Sequence, residues 1–418
     1  MNWRIIPAFL VVALFFAVAL LFSGCIEAVA PVAEADDSQA TEAGVAELVS
    51  GNNQFAFDLY HKLNESTSGN IFFSPWSISS ALGMTYEGAR STTAEEMKNT
   101  LHFPENDLTR RSSFASLYNT LNKGEKPYAL HTANALWAEQ DFKFLDSFFE
   151  TTRKYYLSEI RNMDFRNNAD ASRKEINSWV EQQTHNKIKD LIPSGFITPL
   201  TRLVLTNAIY FKGNWLTQFD EKNTTEADFL ANDMQTVKVQ MMSLTGEKAE
   251  FPYAETDELQ LLELPYSGEE ISMLLILPKE SMDLVENSLN VDKLKELNAM
   301  LSKQRVDVFI PKFKFETKYF IAKDLAEMGM PTAFSLAADF SGMTGQKDLA
   351  IDQVIHQAFV EVNEEGTEAA AATAVIMREL AVPDYKVFRA DHPFIFIIKE
   401  NSTDQILFMG KVANPASG

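Results

Sequence analysis

The residues of this chain that ordinarily do chemistry are scattered. Six histidines stand at 61, 102, 131, 185, 356 and 392, and no two have metal-ligand spacing. There is no G-x-S-x-G elbow, no H-E-x-x-H, no phosphate-binding G-x-x-x-x-G-K-[ST] and no G-x-G-x-x-G. A hydrolase built from distant Ser, His and Asp residues stays open on pattern alone. The expectation is a protein that is not an enzyme and uses no cofactor or metal.

One stretch carries a different kind of chemistry, that of a peptide segment able to change place. Glu364, Glu365, Gly366, Thr367 and Glu368 lead into Ala369, Ala370, Ala371 and Ala372, then Thr373, Ala374, Val375, Ile376 and Met377. Four alanines favour helix, whereas Thr373, Val375 and Ile376 favour strand. Gly366 supplies backbone freedom at the head. Arg378 to Asp384 is polar and broken by Pro383, which reads as an exposed loop. If the segment enters a sheet, alternate residues face opposite sides. One register turns Thr367, Ala369, Ala371, Thr373, Val375 and Met377 inward, without a charge, and leaves Glu368 in solvent. A segment so built could lie outside a sheet or within one.

This pattern resembles the hinge of the serpins, and the resemblance continues along the chain. Asn70-Ile71-Phe72-Phe73-Ser74-Pro75-Trp76-Ser77-Ile78 is similar to the segment opening the helix behind the main serpin sheet. Thr206 to Trp215 resembles the strand carrying the family's asparagine and tryptophan. Ala338 to Met343, Asp391 to Phe396 and Leu407 to Pro415 match as well. The sequence is identified as that of a serpin, a prokaryotic member. The resemblance implies an α+β fold of three sheets with eight or nine helices and an exposed reactive loop.

It also implies roles. Residues Glu364 to Thr373 would be the hinge. Ser74, Ser77, Asn207 and His356 match the polar cluster under the opening seam of the sheet, and Trp215 the point where the loop first enters. Counting fourteen residues on from Gly366 reaches Leu380, so Leu380-Ala381 would be the reactive bond, with Met377 and Arg378 as alternatives. Leucine suits an apolar specificity pocket, which points to chymotrypsin-like or elastase-like partners. The implied function is suicide inhibition: the loop is cleaved, an acyl-enzyme forms and the loop inserts, trapping the serine protease. A non-inhibitory carrier or chaperone is the alternative; such members often place charge or bulk at the inward hinge positions, and this chain does not.

Composition sets limits on partners. Thirty-seven Lys and Arg face 58 Asp and Glu, a net charge of −21. Such a field repels nucleic acid and heparin-like polyanions, and neither is expected as a partner. No linker divides residues 50 to 415, so one large domain is expected over 49–418, as a monomer.

The N-terminus reads separately. Arg4 precedes an apolar run from Ile5 to Phe22 that ends in Ser23, Gly24 and Cys25. Residues 1–24 have the plan of an export signal and resemble a bacterial lipobox, with Phe22 where leucine is usual. Cys25 would then carry lipid. A plainly cleaved signal and an uncleaved membrane anchor remain open. Each places the domain outside the cytoplasm, secreted or held at the outer face of the membrane. Cys25 is the only cysteine, so no intramolecular disulfide forms. Residues 25–48, rich in Ala, Glu and Asp, read as a flexible acidic tether.

Certain elements must position the site. Asn53 to Leu63 and Ser74 to Tyr86 read as helices, the second wholly buried. Thr92 to Glu96 has the spacing of a capping box, and Ala171 to Asp190 is amphipathic. Strands are expected at 203–211, 259–265, 271–277, 305–310, 394–399 and 407–412.

Overall fold

Helix α1 (Glu42–Ser66) starts where the Thr41 hydroxyl accepts from the Gly44 N–H, and it buries Leu48, Phe55, Leu59 and Leu63. Helix α2 (Pro75–Tyr86) has Ser74 as its N-cap, accepting from the Ser77 N–H, and a proline in its first turn. Ten of its twelve residues are buried, as its apolar sequence predicts. The computed structural model describes residues 34–232, 234–367 and 385–417, without the side chains of 131–134, 207, 208 and 210.

Further helices follow: α3 (Ser91–Thr100), α4 (Asp107–Asn122), α5 (Asp146–Tyr156) and α6 (Phe165–Gln183). Later come α7 (Met282–Ser288), α8 (Val291–Met300), α9 (Ala322–Met328) and the four-residue α10 (Ser341–Thr344). Nine helices of seven residues or more thus lie among the described residues, within the expected number.

The sheet that matters has the strand order β11-β12-β13-β4-β2-β3. Its long members are β2 (Tyr128–Glu139) and β4 (Leu203–Asn214), antiparallel from Tyr128 opposite Gly213 to Ala138 opposite Leu203. Strand β3 (Glu159–Met163) runs parallel to β2 at one edge. At the other, β11 (Phe313–Phe320) and β12 (Ile355–Val362) pair along their whole length. Between β4 and β12, the only strand among the described residues is β13, Gly366–Thr367.

The remaining strands are β1 (Ile71–Phe73), β5 (Thr225–Leu230), β6 (Thr236–Leu244), β7 (Glu250–Glu255), β8 (Leu259–Pro265) and β9 (Ile271–Pro278). With them go β10 (Ser302–Pro311), β14 (Lys386–Arg389), β15 (Phe394–Glu400) and β16 (Ile406–Val412). The second and third sheets expected are joined through β10: Ser302–Arg305 pair with β7, and Val308–Pro311 pair with β6. Strands β9, β15 and β16 are buried throughout and read as near-continuous apolar runs. Phe72 stacks on Phe396 and Phe408, locking β1 to the wall behind the seam.

Three expectations need correction. The amphipathic helix runs from Phe165 to Gln183, not from Ala171 to Asp190. Asp164 caps its start, Glu139 accepts from the Phe165 and Arg166 amides, and left-handed backbone at His185, Asn186 and Asp190 prevents its continuation. The capping box is not formed. Arg90 is the N-cap, without a side-chain capping bond, while Thr93 accepts from the Asp339 N–H and Glu96 binds Thr332. Nor is the tether flexible to residue 48. Ala35 is buried and exchanges bonds with Asn119, Asp36 pairs with Lys154, and α1 begins at Glu42. A buried partner on α4, Asn119, and an exposed one on α5, Lys154, order a stretch whose composition alone suggests solvation.

Candidate functional site

The site is the seam between β4 and β12. At its upper end Trp215, 3% exposed, stacks on Tyr266 with ring centroids 4.5 Å apart. The Trp215 amide donates to the Glu365 carbonyl at 2.7 Å, and its indole N–H donates to the Asn363 carbonyl at 3.0 Å. The expected entry tryptophan therefore holds the backbone of the hinge directly. The Tyr266 hydroxyl and Thr367 Oγ1 share a buried hydrogen bond at 2.8 Å, which fixes Thr367 on the inward face.

Gly366 is explained by proximity. It pairs with Asn214, and a Cβ there would stand 2.0 Å from the Gly213 carbonyl oxygen. Glu364 is tied on the outer side. The Thr224 hydroxyl donates to its carboxylate at 2.7 Å and the Lys312 ammonium lies 2.7 Å away. Burial would raise the pKa of this carboxyl, but Lys312 and Thr224 outweigh that and hold it below the usual carboxylate value. Glu365 is buried beside it, and its Oε1 has no hydrogen-bond partner.

Lower on the seam, Ser77 and His356 of the expected polar cluster meet around Ser74. The Ser74 N–H donates to His356 Nε2 at 3.0 Å, its hydroxyl donates to the Leu407 carbonyl at 2.7 Å, and its oxygen also accepts from the Ser77 N–H. His356 is 4% exposed, and burial pushes its pKa down to about 3. The imidazole is therefore neutral, with its proton on Nδ1. Ser77 Oγ is buried and unpartnered. The backbone of Asn207 sits in β4 opposite Asn134; its side chain is outside the description.

Glu368 to Thr373, Met377, Arg378, Leu380, Ala381 and Cys25 lie outside the described residues. Tyr266, Thr224, Lys312 and Asn363 were not foreseen. Tyr266 and Lys312 directly follow β8 and β10, Thr224 directly precedes β5, and Asn363 adjoins the hinge itself; no local pattern marks them. Among the described residues, no three His, Cys, Asp or Glu side chains gather as metal ligands. No described helix is long and apolar enough to cross a membrane.

Comparison with known proteins gives the family of the chain. The family model for the serpins (serine protease inhibitors) matches residues 50–415. The chain belongs to the serpin family. It is 45% identical to an uncharacterized serpin-like protein of Thermococcus kodakarensis, over 89% of this chain and 86% of that one. To leukocyte elastase inhibitor A of Rattus norvegicus it is 41% identical, over 88% of this chain and all of that one. A structure of thyroxine-binding globulin in complex with thyroxine superposes with a TM-score of 0.79 at 35% identity, covering 88% of this chain and 99% of that one. The serpin fold, with its mixed α+β sheets, is thereby shared with relatives of differing names.

Proposed function

We propose that this serpin is a single-use inhibitor of chymotrypsin-like or elastase-like serine proteases. The observation that carries the reading is β13. Thr367 already lies between Val362 of β12 and Gly213 of β4, side chain inward. Continuing both registers by six residues puts Thr373 between His356 and Asn207, and by ten puts Met377 between Asp352 and Leu203. A strand entering the seam would thus present its small, uncharged face to the polar cluster and the core below it.

The chemistry is that of the attacking protease. Its serine oxygen bonds to the Leu380 carbonyl carbon, the bond to the Ala381 nitrogen breaks, and that nitrogen leaves with a proton. The chain up to Leu380 is then an ester of the protease. Insertion of 368–380 between β4 and β12 satisfies two sets of strand-edge groups at once. It carries the bound protease along before water reaches the ester. The native state is held by a kinetic barrier rather than by the lowest free energy; loop insertion in serpins is a known example of released strain.

The likeness to thyroxine-binding globulin supports a second reading, in which the chain binds a ligand and inhibits nothing. Active-site titration separates the two. Near-stoichiometric, irreversible loss of chymotrypsin or elastase activity is expected; full recovery of activity with the chain cleaved would leave the carrier reading. We further place the domain outside the cytoplasm, tethered through lipid on Cys25. A Cys25→Ser variant that stays with the membrane would contradict the lipid attachment.

A further inference from the structure

Beneath the lower half of the seam lies a cavity of about 690 Å³, between α2, the start of β4, the chain 191–202 and the segment 334–356. Its size is that of a small-molecule site. Its lining includes Ser77, Thr206 and His356; Ser77 is 1% exposed, and its buried Oγ has no hydrogen-bond partner. A buried hydroxyl left unpaired costs free energy that a ligand acceptor or donor would recover. The walls above are apolar, with Ile78 and Leu82 from α2. At the mouth stand Phe196, Leu200 and Leu336, which are 38%, 81% and 106% exposed. Three large apolar side chains exposed around one opening mark a binding surface rather than ordinary scatter.

We propose that this cavity binds an uncharged single-chain amphiphile, a long-chain alcohol or a monoacylglycerol, with its hydroxyl on Ser77 and its chain leaving past Leu200 and Leu336. The charges lining the cavity disfavour a fatty-acid carboxylate as the ligand. The one cation among the lining residues is Arg202, which already donates to the Pro199 and Thr201 carbonyls. Asp348 and Asp352 also line the cavity and repel an anion. His356 is neutral and occupied by Ser74 at Nε2. An anionic head would therefore be buried without a counter-charge.

The site also overlaps the path of insertion, because Leu203 and the residues around Asp352 border both. On the inhibitory reading, a bound chain slows insertion and diverts the protein toward simple cleavage. That consequence rests on the proposed function; the binding itself does not.

The test is isothermal calorimetry of the full chain with decan-1-ol, with decanoate as the charged counterpart. Saturable binding of one decanol is expected, weakened about tenfold by Ser77→Ala, which removes a hydroxyl that has no partner to lose. Leu200→Glu combined with Leu336→Glu, at exposed positions that do not threaten folding, should weaken it further. Decanoate binding as tightly as decanol overturns the uncharged ligand. Absent saturable binding, or affinity unmoved by either variant, overturns the site. Decanol should also raise the number of inhibitor molecules consumed per protease. A chain that inhibits nothing without decanol but binds it with these variant effects would fail the proposed function and leave the site standing.

Discussion

The carboxylate of Glu364 lies 2.7 Å from the Lys312 ammonium, and this pair ties the start of the hinge to the end of β10. Glu364 also accepts from Thr224, and its carbonyl accepts from the Phe219 amide, so β10 and the chain after β4 converge on it. The upper seam is therefore closed by polar bonds outside and by Trp215 and Tyr266 inside.

Replacing Glu364 with Gln should weaken that closure. Lys312 is 39% exposed, so solvent screens the pair, and about 1–2 kcal/mol is the expected loss. At fixed scan rate the melting midpoint should fall by about 1–3 °C. The native pKa of Glu364 is lowered, so its stabilisation is present above the ordinary carboxylate value and disappears as pH falls below it. A midpoint unchanged at pH 7 would show that the pair does not hold the hinge.

Thr367→Arg addresses the inner face. Thr367 is 5% exposed and bonded to Tyr266, so an arginine entering there buries a charge without a partner at a cost of several kcal/mol. Protease titration should change from inhibition to turnover, because the ester is hydrolysed before the strand can enter. Inhibition equal to the parent's would mean that insertion is not the trap.

His356 sets an acid limit. Its pKa of about 3 in the fold lies well below 6.5, so its neutral form stabilises fully above pH 6.5, and that stability is lost as pH falls toward 3. The loss should reach about 3 kcal/mol by pH 4. His392 acts in the opposite direction: Asp391 raises its pKa, so its contribution is complete below 6.5 and does not mask the effect. The stability gap between the parent and a His356→Gln variant, from urea midpoints, should shrink by that amount between pH 7 and pH 4. A constant gap would contradict a neutral buried imidazole.

Cleavage within the reactive loop should raise the melting temperature by tens of degrees, since a strand would join the middle of the main sheet. Calorimetry of the cleaved and intact chains reads this directly. Equal midpoints would favour the carrier reading.

The sequence disclosed some parts of this site and hid others for physical reasons. Ser74 was legible because a serine before proline caps a helix, and the apolar run of α2 declares its burial. Trp215 and His356 were expected only through the family resemblance, and the structure gives each a partner on the seam. Lys312 and Thr224 were not legible, because their meeting with Glu364 depends on strand pairing across the fold. Gly366 was read as a flexible point, yet the Gly213 carbonyl 2.0 Å from its missing Cβ makes close approach the stronger requirement. Strand β5 escaped notice because it is an exposed edge with one buried residue, Phe229. The stretch 34–41 misled because side-chain partners on α4 and α5, absent from any local pattern, hold it in place.

The central claim is that a protease is trapped as an ester at Leu380 by insertion along β4 and β12. The direct measurement is incubation with chymotrypsin, a boiled denaturing gel and mass spectrometry of the released C-terminal peptide. The account predicts a covalent complex of chain and protease, and a released peptide beginning at Ala381. A peptide beginning at Glu379 would move the bond to Arg378, and cleavage with no covalent complex would contradict the mechanism.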